Sequence, residues 1–203
     1  ERCTHGVRVR RYCAAMTTST RARRIVSVTA ALGAAVLIAV GAVAPTGAAT
    51  GPDDYESAQV GLTYTVYEPT TTARLAQTGF ELNGCMAGMD EQINADYGSQ
   101  ATSTSRWIGL NQSQMACQDG PDGVGPAATF MVRGAKATVL GDCAGNASTC
   151  PRATRAGVRR SAFTTVTLPS GGTGLSATHV EVYSQGLTLA QIKAFVRGLK
   201  PVG

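Results

Sequence analysis

Apolar and polar residues alternate along residues 59–68. Val60, Leu62, Tyr64 and Val66 fall on one side, and Gly61, Thr63, Thr65 and Tyr67 on the other. A period of two is that of a half-buried strand, and Pro69 ends it. Shorter runs at 75–82, 93–97, 107–111, 129–133, 136–140, 163–168 and 179–184 predict further strands, with Gly134 between two of them and a flexible turn at 171–174. Residues 86–93 offer a turn of helix as an alternative. The stretch 117–126, Cys-Gln-Asp-Gly-Pro-Asp-Gly-Val-Gly-Pro, is dense in turn formers and predicts a long loop.

The period changes near the C-terminus. Leu189, Ile192, Phe195, Val196 and Leu199 share one face of a helix, while Gln191, Lys193 and Arg197 lie elsewhere. Thr188 and Gln191 have the spacing of a capping box, Arg197 and Lys200 suit the negative end of the helix dipole, and Pro201 stops it. The pattern therefore predicts an α+β fold: an antiparallel, curved β-sheet packed by a C-terminal α-helix.

The opening third follows neither period. Arg21, Arg23 and Arg24 precede an uncharged run, residues 25–44, rich in Ala and Val, and the small residues at 45–49 follow it. That order is the order of a secretory signal peptide, with cleavage after Ala48 or Ala49. The organisation expected is an upstream extension at 1–15 ahead of Met16, a signal peptide at 16–49, a linker at 50–58 and a single domain at 59–203. Left uncleaved, the run is long enough to anchor the chain in a bilayer, its one expected link to a membrane. No Cys follows the processing site, which argues against acylation, and the residues after Arg23-Arg24 fit twin-arginine export poorly.

Charge looks different once that leader is set aside. The formal net charge is +5, yet from Thr50 onward 11 Lys and Arg face 12 Asp and Glu. A near-neutral domain removes the main support for nucleic-acid binding. Arg152, Arg155, Arg159 and Arg160 form its one basic cluster, with no acid between Asp142 and Glu181. Such a cluster can attract anionic envelope polymers or lipid headgroups. The high Ala, Gly, Thr and Arg content fits a GC-rich bacterial gene.

Four cysteines remain after the leader. An even number behind an export signal predicts two disulfides. Cys143 and Cys150 enclose only a short polar loop and pair locally, which leaves Cys85 with Cys117. A four-thiolate zinc site lacks the close Cys pairs it needs, and Asp119 and Asp122 lack the ligand series of a calcium loop. No metal and no cofactor is expected.

Chemistry has few residues to work with. His179 is the one histidine beyond the leader, and on an alternating strand it shares a face with Glu181 and Tyr183. The trio is either an acid/base cluster or the solvent side of an ordinary strand. Ser161, Ser170, Ser176 and Ser184 sit in no nucleophile-elbow context.

Four segments together, at 60–70, 107–112, 132–141 and 180–192, resemble a bacterial extracytoplasmic domain family of unknown function. They read Val-Gly-Leu-Thr-Tyr-Thr-Val-Tyr-Glu-Pro-Thr, Trp-Ile-Gly-Leu-Asn-Gln, Val-Arg-Gly-Ala-Lys-Ala-Thr-Val-Leu-Gly and Val-Glu-Val-Tyr-Ser-Gln-Gly-Leu-Thr-Leu-Ala-Gln-Ile. Family members occur as free exported proteins and as outer domains of some anti-sigma factors. The resemblance implies no catalytic residue, and the four cysteines and the Asp-Gly-Pro-Asp-Gly loop depart from it. The expected function is an exported, non-enzymatic binding or interaction module at the cell envelope, partnered by an anionic envelope component or another exported protein. The alternative is a small secreted hydrolase using His179 and Glu181.

Overall fold

The structure is a computed structural model that describes residues 54–85, 89–117, 119–143 and 152–203. They belong to one compact unit, Thr46–Gly203. The leader and upstream extension lie outside the described residues, as does Cys150 and with it the Cys143 pairing. In chain order the elements are α1 (Tyr55–Gln59), β1 (Tyr67–Pro69), β2 (Gln77–Gly84), β3 (Glu91–Gly98), β4 (Trp107–Ser113), β5 (Val124–Val132), β6 (Ala135–Asp142), α2 (Arg155–Arg160), β7 (Ala162–Leu168), β8 (Thr178–Gln185), α3 (Leu189–Arg197) and β9 (Leu199–Pro201). The fold is thus mostly antiparallel β-sheet with a few short helices.

Seven strands form one sheet in the order β2-β3-β4-β8-β7-β6-β5, and β1 pairs with β9 separately. Every neighbouring pair is antiparallel. The hairpin β5–β6 turns on Arg133 and Gly134, whose φ angles are 49° and 79°. Two successive positive φ values give the two-residue turn whose twist matches the strands, which is why glycine stands at 134. Both edge strands carry a register shift, at Gln77/Gly79 and Pro126/Ala128, and such bulges discourage further edge pairing.

Alternation gives the sheet two unlike faces. Ile93, Tyr97, Leu110, Val139, Val166 and Val182 bury one of them in a single hydrophobic cluster. The same cluster contains Tyr55 and Ala58 of α1, Val158 of α2, and Ile192, Phe195 and Val196 of α3. Phe195 is fully buried, its ring edge-on to Tyr97 at 5.8 Å between centroids. α3 begins with the capping box that the sequence predicts, Thr188 accepting from the Gln191 N–H and Gln191 from the Thr188 N–H.

Several expectations need correction. Residues 59–68 do not form a ladder strand: apart from an isolated bridge between Tyr64 and Ser176, only Tyr67 and Glu68 join a strand, β1. Side chains supply much of the missing ladder. The Gln59 amide donates to Tyr64 O at 3.0 Å and accepts from Val66 N at 2.7 Å, and the buried Gln112 amide holds both the N–H and the C=O of Tyr67 at 2.7 Å. Leu62, Tyr64 and Val66 are buried as expected, but Thr65 and Tyr67 of the opposite face are buried as well and Val60 is 90% exposed, so the segment is not a half-buried strand.

The presumed linker contributes α1 to the core, with Asp54 capping it. Residues 91–93 are strand, not helix. The long loop stops at Val124, where β5 begins. The C-terminal helix stops at Arg197, so Leu199 and Lys200 belong to β9 and Lys200 is not a helix-end cation.

The disulfide Cys85–Cys117 is formed, with Cα atoms 5.3 Å apart. It ties the end of β2 to the connection that follows β4. Because β4 and β5 lie four places apart in an antiparallel sheet, they run in the same direction. Their connection must therefore leave one end of the sheet and re-enter at the other. It crosses the polar face, where a Cβ on Gly120 would lie 3.1 Å from the Phe163 ring.

Candidate functional site

The residues that the sequence singles out fall in two separate places. His179, Glu181 and Tyr183 share the polar face of β8, as alternation predicts. The sheet order makes β8 its middle strand, with Ser113, Asn111 and Gly109 of β4 opposite them on one side and Thr167, Thr165 and Phe163 of β7 on the other.

This face is not simply solvated. Glu181 is only 4% exposed. His179 Nε2 stands 3.4 Å from Glu181 Oε1, too loosely to make a hydrogen bond, and the buried nitrogen has no hydrogen-bond partner among the described residues. The Tyr183 hydroxyl donates to Glu181 Oε2 across 3.5 Å, and its ring tilts against Phe163 at 4.8 Å. Burial first, and the Glu181 carboxylate second, push the Tyr183 hydroxyl up to about 12. A carboxylate this buried, with only contacts of 3.4 and 3.5 Å to offset its removal from water, is costly to keep in place.

Thr167 joins this trio although sequence reasoning passes over it. Its Oγ1 lies 3.5 Å from His179 Nδ1. Thr167, His179 and Glu181 thus form a line of polar groups across β7 and β8, at distances longer than the 2.6–3.2 Å of hydrogen-bonded catalytic contacts. Nothing in one strand signals Thr167, because its register against His179 arises from the pairing of β7 with β8.

The arginine cluster occupies the other site. Arg155, Arg159 and Arg160 sit on α2, a short helix capped by Thr154 and set against β6 by two glycines. A Cβ at Gly157 would lie 2.0 Å from Asp142 O, and one at Gly141 would lie 2.8 Å from a Val158 methyl. Arg160 turns away to pair with Asp142 at 2.7 Å. Arg152, Arg155 and Arg159 line a groove of about 720 Å³ that also takes in Ala153, Val158, Thr188, Leu189 and Ala190. Among the described residues no acidic side chain lines it. The cluster therefore divides into three cations that face open space and one that is neutralised.

Neither this groove nor a second, smaller cleft includes His179, Glu181 or Tyr183. Among the described residues no group of three or more His, Cys, Asp or Glu is placed to hold a metal ion. No described helix is long and apolar enough to cross a membrane. Comparison of the chain with protein-family models, with characterised proteins and with solved structures yields no match.

Proposed function

We propose that this protein is an exported, non-enzymatic binding module of the bacterial cell envelope that takes up an anionic component in the groove beside α2. One observation carries the reading: three arginines that have no acidic partner among the described residues line a groove of about 720 Å³ in an otherwise near-neutral domain. Arginine presents planar, paired donors to carboxylate or phosphate. The disulfide is compatible with an oxidising, extracytoplasmic location, which the signal-like leader supports. On this reading the domain is an α+β unit whose curved sheet is packed by α3, and its likeness to the extracytoplasmic domain family supplies the envelope context.

The test is association with vesicles of phosphatidylglycerol and with soluble polyphosphate, measured at low and high salt. The protein should bind at least one of them, less tightly as salt rises, and the Arg152→Ser/Arg155→Ser/Arg159→Ser variant should not bind. Failure to bind either probe, or equal binding by that variant, would overturn the proposal.

A second reading has its own observation. The alignment of Thr167, His179 and Glu181 favours a small hydrolase in which Glu181 orients His179 and His179 serves as base. Hydrolysis of an activated ester that is lost in both His179→Asn and Thr167→Val would support it. Activity that survives in either variant would dismiss it.

A further inference from the structure

The groove beside α2 does not end at α2. Its wall includes Ala127 of β5 and Ala190 of α3, so it opens onto the seam where α3 packs against the edge strand of the large sheet. Both elements carry cations along that seam, away from the groove. On α3, Lys193 and Arg197 follow Ala190 by three and seven residues on the same helical face, a row about 10 Å long along the axis. On the strand side, Phe130 and then Arg133 follow Ala127, which takes the row to the β5–β6 turn, about 20 Å from the groove. The two tracks meet at Phe130. Lys193 Nζ stands 5.6 Å and Arg197 Cζ 5.3 Å from its ring centroid.

Two cations four residues apart on a helix repel each other, and sharing one ring keeps this pair together. The ring fixes their positions without neutralising their charge. Neither forms an ion pair among the described residues, and neither does Arg133, which lies over the Tyr67 ring and donates from Nε to Leu199 O at 2.8 Å. β5 and α3 contain no acidic residue. Of the acids that border the row, Asp142 is taken by Arg160 and Glu68 stands opposite Lys200 in the β1–β9 pair. The seam is thus a line of positive charge continuous with the three arginines of the groove.

We propose that the anion taken up in the groove is one stretch of a linear polyanion, whose chain continues along the β5–α3 seam past Lys193 and Arg197 to Arg133. This rests on the groove as the anion site and adds the length and direction of what fills it. A single phosphate or carboxylate headgroup would fill the groove and leave the seam cations unpaired, whereas a chain with an anionic group on every repeat neutralises both sets. The row is narrow, one helix face beside one edge strand. That shape fits a polymer laid lengthwise rather than a membrane, whose headgroups spread in two dimensions.

The experiment compares tripolyphosphate, long-chain polyphosphate and phosphatidylglycerol vesicles on the intact, disulfide-bonded protein at one salt concentration. Affinity is measured by calorimetry and expressed per phosphate, so that the many registers of a long chain do not count as tighter binding. Long-chain polyphosphate should bind more tightly than either other probe. Lys193→Gln/Arg197→Gln should weaken the long chain about 30-fold, the effect of two cations withdrawn from an anionic surface, and leave tripolyphosphate unchanged. The charge-conserving exchange Lys193→Arg/Arg197→Lys should keep the original affinity, which separates charge from packing on Phe130. If circular dichroism shows the double Gln variant unfolded, Lys193→Gln alone decides, with an expected loss of about fivefold. Equal affinity per phosphate for the two chain lengths, tighter binding to vesicles, or unchanged long-chain affinity in the Gln variants would overturn the seam and leave the groove standing. Absence of binding by every probe would overturn the groove and the seam together.

Discussion

The phenolic oxygens of Tyr55 in α1 and Tyr97 in β3 lie 2.5 Å apart, buried, and join the first helix to the sheet. Each hydroxyl depends on the other. Tyr55→Phe or Tyr97→Phe alone leaves one buried hydroxyl unpaired and should cost about 1–3 kcal/mol in urea denaturation. The double variant should lose less than the sum of the two, because it removes both polar groups together. Strict additivity would show that the pair does not act as a unit.

Tyrosine also sets an alkaline limit. Burial raises the hydroxyls of Tyr55, Tyr64 and Tyr67 and takes those of Tyr97 and Tyr183 up to about 12. The unfolded chain ionises near 10, so the native state holds these protons more tightly. Stability is therefore complete below about pH 10 and falls as pH rises toward 12. Phenolate absorbance and circular dichroism should change together over that window. Ionisation of all these tyrosines near pH 10, with the fold intact, would contradict their burial.

The Cys85–Cys117 bridge closes a loop 32 residues in sequence separation. By loop entropy, the Cys85→Ser/Cys117→Ser variant should lose about 3–4 kcal/mol. Denaturation of the two proteins checks this, and a loss well under 1 kcal/mol would mean that the bridge does not constrain the unfolded chain.

Glu181 offers an opposite sign. Its carboxylate is removed from water but gains only contacts of 3.4 and 3.5 Å. Glu181→Gln keeps the shape and deletes the charge, so it should raise stability by about 1 kcal/mol. A loss of that size would show the charge to be well supported.

Local features were legible in the sequence. The turn at Arg133-Gly134, the capping box of Thr188 and Gln191 and the shared face of His179, Glu181 and Tyr183 each depend on residues whose spacing states the geometry, whereas the Cys85–Cys117 pair follows only by elimination. The segment 59–68 misled because its hydrogen bonds come from Gln59, from Gln112 and from the distant backbone of Ser176 and Val202, so that Thr65 and Tyr67 are buried along with Tyr64 and Val66. The partnership of Thr167 with His179 and that of Trp107 with Asp96 depend on which strands adjoin. Sequence order does not contain that information: β8, the last strand of the large sheet to be made, becomes its middle.

That placement governs the order of assembly. β2, β3 and β4 can pair as they emerge, and so can β5 and β6, but these two groups share no strand until β7 and β8 slot between them. β1 likewise waits for β9, more than 120 residues later in the sequence. Long-range pairing of this kind slows folding. A chain built so cannot complete its sheet until β7 and β8 have both been made, so these late strands themselves delay closure of the domain.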